Sequence, residues 1–395
     1  MKNIKKIIAA ALAAAMLTVF AGCGGDQSWS YKTDTASLTA GTYIYNMLNA
    51  YYEAYDLVES PDEVKKILAE EVTDSDGNTN TVEQFTYDGA DEESIKMLAV
   101  EELMKELNLE LDQSEYDAAK SYASQMWGGI KDQFEKYGIS QESFNYCYAE
   151  YMVKYGQVFE VLYGKDGEKA VSDEEMTEYF KNKYTGYAYF SISMATTDEE
   201  GNSVAKSEEE FTKAKNDLNS YIKSINDGSK TYKEAVAQYL EDYEVTYDPT
   251  YSGAVDLDDC TLDASIVDAL KTLGEGEATL VTTGEDATTL FYLVYKPTID
   301  SIIDFLEDDT DSDTDTSTDV SSTASESTET SDSAGVDPIE YVYDLKSGFT
   351  HYTLLNEMKG DDYSDYLLEY GNKLDFSRND DVVGKYKPSM FTSAT

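Results

Sequence analysis

Residues 187–194 read YAYFSISM, and the hydrophobic period of the chain changes there. Apolar and small or polar-tipped side chains alternate in this run, which is rich in aromatic residues, as expected of a half-buried β-strand. Upstream the spacing is helical. Residues 29–38 make a short extended lead-in, and residues 39–57 form a helix with Tyr43, Met47, Tyr51 and Tyr55 along one face. Ser60-Pro61-Asp62-Glu63 has the composition of a helix start, and Asp76-Gly77 marks a hairpin or loop within residues 72–85. Residues 91–108, 114–137 and 140–163 are long helical segments, and Ser172-Asp173-Glu174-Glu175 is a capping box opening a helix to about Tyr184. Downstream, residues 207–227, 232–239 and 265–273 are helical, and residues 289–296 (TLFYLVYK) form a strand ended by Pro297. A helical first half followed by a compact mixed segment makes the fold class α+β.

Residues 304–337 consist almost wholly of Asp, Glu, Ser and Thr with a few Ala. Such a segment cannot bury enough apolar surface to offset its chain entropy, so it is expected to be a disordered linker. Residues 338–358 and 361–371 are again helical, and residues 373–387 end in a strand-like piece. An amphipathic helix returning after the mixed segment needs a partner, so the two ends of the chain are expected to build one domain together.

The 395 residues carry a net charge of −49, which repels nucleic acid and anionic surfaces. Cys23, Cys147 and Cys260 are too few for a disulfide framework or a thiolate metal cage; Cys147 and Cys260 either pair once or stay free. An EF-hand register starting at Asp74 places Thr79 and Phe85 where Gly and Glu are required. No Gly-x-Ser-x-Gly elbow, phosphate-cradling loop or His/Glu metal motif is present, and no cofactor or metal is expected. The lone histidine, His351, lies in a Tyr-rich helical stretch suited to packing or surface. The 34 tyrosines against 13 phenylalanines suit half-wet surfaces, including those that hold partly unfolded chains, or else helix cores poor in aliphatic residues.

Lys2, Lys5 and Lys6 precede an apolar run, residues 7–20, too short to span a bilayer. Phe20-Ala21-Gly22-Cys23 then resembles the lipobox of bacterial lipoproteins. The resemblance implies cleavage before Cys23, lipid on that residue, and residence at the outer face of the cytoplasmic membrane. The domain layout is a signal peptide over 1–22, a lipidated tether over 23–38, a helical domain over 39–185 and a mixed domain over 186–298. The linker over 304–337 and C-terminal helices and tail over 338–395 follow.

This order resembles extracytoplasmic foldases of the PrsA and SurA type, with a SurA-like helical domain and an inserted parvulin-like peptidyl-prolyl isomerase domain. The residues that carry it are 188–192 (AYFSI), 231–242 (TYKEAVAQYLED) and Ser252-Gly253, followed by 262–278 (LDASIVDALKTLGEGEA) and 290–295. Parvulins place two inward-facing histidines beside an Asp or Cys above an apolar proline pocket. Here the first histidine position falls on Phe190 or Ser191 and the second on Phe291 or Tyr292, while Asp242 matches an acidic active-site position.

The resemblance therefore implies a membrane-anchored chaperone for unfolded or newly secreted polypeptides, with isomerase activity weak or absent. Asp242 is the candidate catalytic group, and Phe190, Ser191, Phe291 and Tyr292 are groove candidates. Met47, Tyr51, Met126, Trp127 and Tyr148 are candidate client-binding residues. The alternatives are an active isomerase and a solute-binding lipoprotein; the latter predicts two doubly wound lobes, for which the strand-helix alternation is missing.

Overall fold

A computed structural model describes residues 26–61, 66–74, 77–303 and 346–392. The leader with Cys23 and the acidic segment 304–337 lie outside the described residues, as do Asp62, Glu63 and Asp76 of the expected helix start and turn. The fold is α+β. One unit joins the described residues up to Ala170 with those from Met358 onward, and the other is Val171–Glu357.

In the first unit the extended lead-in is a hairpin of β1 (Trp29–Lys32) and β2 (Ser37–Thr39), and β1 also pairs with the C-terminal strand Ser377–Arg378. Tyr31 anchors this three-stranded sheet. Its hydroxyl donates to Asp91 Oδ1 at 2.7 Å and accepts from Arg378 Nε at 2.8 Å, and the buried ring stacks on Tyr43 at 6.0 Å. Thr39 caps α1 (Ala40–Asp56) by accepting from the Thr42 amide, and α1 lies along α2 (Val82–Glu106).

The hairpin expected around Asp76-Gly77 is β3 (Glu71–Thr73) with β4 (Thr79–Thr81), and Gly77 takes the left-handed conformation (φ +85°) that a side chain resists. Helix α2 then starts earlier than the expected residue 91, because Thr81 accepts from the Gln84 amide and caps it at Val82. Ser60, the expected cap of the preceding helix, instead has a left-handed backbone (φ +53°).

Helix α3 (Gln113–Tyr137) ends at Gly138, again left-handed, and the next helical segment is broken into three. These are α4 (Gln141–Asn145), a π-turn over Tyr146–Glu150 and α5 (Tyr151–Tyr163). The C-terminal helix His351–Gly371 is continuous where a break was expected, since one interior glycine, Gly360, weakens a helix by only about 1 kcal/mol. In its first-unit part Tyr363 is buried 4.7 Å from Tyr155 and 5.1 Å from Phe159. The tail expected to be strand-like has only the short strand Ser377–Arg378, followed by the helix Asp380–Val383 and the turn Pro388–Met390.

The second unit starts before the alternating run. Helix α6 (Asp173–Lys183), expected to close the helical domain, belongs here; its capping box of Ser172 and Glu175 is formed, and Phe180 packs on Tyr184 and Phe349 at 5.2 and 5.6 Å. Next come β5 (Thr185–Ser193), a small hairpin of β6 (Ala195–Thr197) and β7 (Ser203–Ala205), α7 (Glu208–Asn226) and α8 (Tyr232–Asp242). The unit is completed by β8 (Tyr251–Val255), α9 (Ala264–Thr272), β9 (Glu277–Thr283) and β10 (Leu290–Lys296). Four of these strands form an antiparallel sheet in the order β8-β5-β10-β9.

The larger core of this unit lies between the sheet and α7 with α8, and Phe190 is fully buried at its centre. Phe190→Ala removes a core ring and is expected to destabilise the inserted unit by about 3–5 kcal/mol. Urea denaturation followed by circular dichroism checks it; a loss under about 1 kcal/mol contradicts the placement.

Candidate functional site

Successive residues of a strand point to opposite faces, so β5 serves two surfaces. Ala188, Phe190, Ile192 and Met194 join Phe291 and Leu293 of β10 beneath α7 and α8. Tyr187, Tyr189 and Ser191 point the other way. On that side Ser191 pairs with Tyr292, Tyr189 with Val294 and Tyr251, and Tyr187 with Gly253. Phe190 and Phe291 are therefore core residues, whereas Ser191 and Tyr292 sit on the second face.

Asp242, the last residue of α8, is exposed, and its Oδ2 accepts from the Tyr221 hydroxyl at 2.6 Å. Tyr221 belongs to the helix-side core, and its ionisation is pushed up by burial first and by Asp242 second. The bond ties α8 to α7, and it places the Asp242 carboxylate with the helix-side core, whereas Tyr292 packs with the other.

The second face is a ladder of tyrosines. Tyr189 stacks on Tyr251 at 5.2 Å and on Tyr187 at 6.0 Å, and meets Tyr292 edge-on at 5.8 Å. Gly253 makes room for it: a Cβ there would lie 3.2 Å from the Tyr187 ring. Tyr187, Tyr189 and Tyr292 are half-buried against the cluster of Ile266 and Leu270 of α9 with Val281 and Val294, while Tyr251 is 62% exposed. Burial pushes Tyr189 up to about 12, with Tyr187, Tyr251, Tyr292 and Asp263 contributing, so its phenol stays neutral at physiological pH. The face thus presents the exposed ring of Tyr251, with the hydroxyl-tipped rings of Tyr187, Tyr189 and Tyr292 half-buried beside it. None of the four ladder residues is a histidine, and the one histidine of the sequence, His351, opens the C-terminal helix. Residue-by-residue matching missed Tyr187, Tyr189 and Tyr251, although the i, i+2 tyrosines of residues 187–189 carried the signal.

Among the client-binding candidates, Met47 has no accessible surface and Tyr51 and Trp127 are nearly fully buried. Tyr51 packs on Phe391 at 5.6 Å, and Trp127 on Phe144 at 5.6 Å. Met126 and Tyr148 are half-buried. Phe144 links Trp127 to Tyr148, stacked on it at 5.3 Å, and Tyr148 stacks in turn on the exposed Tyr122 at 6.1 Å. The aromatic cluster therefore runs from the core of the first unit to its surface.

Cys147 and Cys260 are both free, and burial pushes the Cys147 thiol well up, leaving it inert. Among the described residues, no group of three or more His, Cys, Asp or Glu side chains is placed to hold a metal, and no helix is long and apolar enough to cross a membrane.

No protein-family model matches the chain. No curated protein matches it either. Among solved structures it is similar to the foldase protein PrsA of Streptococcus pneumoniae, with 11% identity and a TM-score of 0.32 over 80% of this chain and 97% of that one. It is likewise similar to PrsA of Lactococcus lactis, with 10% identity and a TM-score of 0.31 over 92% and 98% of the two chains. Likeness at this level establishes no residue equivalence.

The ladder has a pH signature. The folded value of Tyr189, about 12, lies above its ordinary value of 10.0, so the unfolded chain loses this proton first. The stabilisation is complete below about pH 10 and is lost as pH rises toward 12. The urea midpoint of the wild type should fall more steeply over that range than that of Tyr189→Phe; parallel slopes contradict the burial of this phenol.

Proposed function

We propose that the chain is a folding factor that binds unfolded or newly exported polypeptides and does not depend on isomerase chemistry. The observation that carries the reading is the tyrosine ladder, in which Tyr251 is 62% exposed and Tyr187, Tyr189 and Tyr292 lie half-buried beside it. Stacked rings with polar rims bind extended chains of varied sequence, because they offer dispersion and single hydrogen bonds in place of a shaped pocket. The net charge of −49 keeps such a surface soluble.

Aggregation of a reduced, unfolded exported protein should be suppressed by an equimolar amount of the full chain, and less so by the Tyr189→Ala, Tyr251→Ala double variant. No suppression by the wild type refutes the reading. In a proline-limited refolding assay the slow phase should be unchanged by the protein. Asp242→Ala should matter for stability instead: it strands the buried Tyr221 hydroxyl, at a cost of about 1–3 kcal/mol. An accelerated slow phase that Asp242→Ala abolishes favours the isomerase.

Lipid on Cys23 is the proposed tether to the outer face of the cytoplasmic membrane, supported by the leader sequence before it. Two or more acyl chains give stable anchoring, at about 0.8 kcal/mol per buried CH₂. Cys23→Ala should move the protein from the membrane to the soluble fraction; equal partition of both forms contradicts the anchor.

A further inference from the structure

The unit formed by both ends of the chain contains a cleft of about 920 Å³ between α1, the β3–β4 hairpin, α2 and the π-turn with α5. Its lining has three properties that point to one kind of occupant. The first is charge. Glu53, Asp74, Asp88 and Glu92 line the cleft, and Lys96, which also lines it, is already held by Glu93 at 2.7 Å. Desolvation raises the Glu92 carboxyl, Lys96 lowers it, and Asp88, Asp74 and Asp91 raise it by smaller amounts, so the carboxylates of the lining act on one another.

The second is an apolar wall. Tyr148 stacks on Phe144 behind it and Met152 is 54% exposed, so a large flexible side chain and a ring face lie beside the acids. The π-turn over Tyr146–Glu150 carries Cys147 and Tyr148 into this lining; such single-turn insertions recur at functional sites. The third is Asn46. It is 98% buried by the protein, being only 2% exposed, and its Nδ2 donates to Ser94 Oγ at 3.2 Å and Met97 Sδ at 3.4 Å. Asn46 lines the cleft, and its Oδ1, which accepts no hydrogen bond within the described residues, is not among the atoms sealed from solvent. An acceptor held in the lining of an acidic cleft is matched by a donor on the ligand.

We infer that this cleft binds a peptide segment in which a lysine or arginine is flanked by aliphatic or aromatic residues. The cation lies among Glu53, Asp88 and Glu92, the apolar flank lies on Tyr148 and Met152, and a ligand N–H meets Asn46. This rests on the polypeptide-binding reading above and adds a client preference, cationic amphipathic segments, at a site separate from the tyrosine ladder.

The test is fluorescence anisotropy with the full chain and two labelled peptides, Leu-Lys-Tyr-Lys-Leu and its counterpart with Glu for Lys. The cationic peptide should bind at least about tenfold tighter, and Asp88→Asn with Glu92→Gln should weaken it about fivefold without changing the melting temperature. The equal charge change Glu208→Gln with Glu209→Gln, at the exposed start of α7, should leave binding within about twofold. Equal binding of both peptides, or equal losses in the two charge variants, overturns the inference. If the preference is absent while aggregation is still suppressed, this site fails and the polypeptide-binding reading survives; loss of suppression by the wild type removes that reading itself.

Discussion

The register of β5 is the constraint on which the inserted unit depends. The strand lies between β8 and β10, and both of its faces are used: Phe190 and Ile192 close the core under α7 and α8, while Tyr187 and Tyr189 build the ladder on the other side. A slip of one residue would exchange the faces, putting phenols into the core under α7 and α8 and Phe190 onto the face beside α9. Burial of Phe190 therefore secures the orientation of Tyr189, its neighbour on the opposite face. Gly253 serves the same end from β8, since its missing side chain is what lets the Tyr187 ring lie flat.

The first unit solves a different problem. Its strand β1 is completed by Ser377–Arg378 from the far end of the chain, and Tyr31 holds Asp91 and Arg378 through one hydroxyl. Closing so long a loop costs entropy that grows only slowly with length, which makes this insertion architecture thermodynamically accessible. The ring contacts of Phe391 with Tyr51 and Tyr137, and of Tyr363 with Tyr155 and Phe159, add buried apolar area at the same junction of chain ends. Tyrosine serves as core filler in both units, as Tyr221, Tyr232 and Tyr239 do in the inserted one, and as exposed surface at Tyr251, so its abundance alone does not distinguish the two uses.

The fold was legible in the sequence wherever a local rule determined it. The alternation of residues 187–194, the TLFYLVYK strand and the Ser172–Glu175 capping box all appear in the structure. The strands β8 and β9 were not visible, because they lie at the sheet edges and their short runs, one holding Gly253, give weak alternation. The choice between Phe190 and Ser191 could not be made from periodicity, which reports that neighbours face opposite ways but not which face helices will cover. The same limit explains Met47 and Tyr51: helical spacing placed them on one face, and only the packing of α1 along α2 and of Tyr51 on Phe391 shows that the face is buried. Asp242 matched a motif position, yet its contact is with Tyr221, a residue of α7 that the motif does not include.

The central claim is that an unfolded chain is received on the tyrosine face of the inserted sheet. Site-specific photo-crosslinking tests it most directly, with benzoylphenylalanine placed at Tyr251 or, separately, at the exposed Glu209 of α7. An unfolded client should crosslink at position 251 and not at 209, and the same client once folded should crosslink at neither. Crosslinking of equal yield at both positions, or none at 251, contradicts the account.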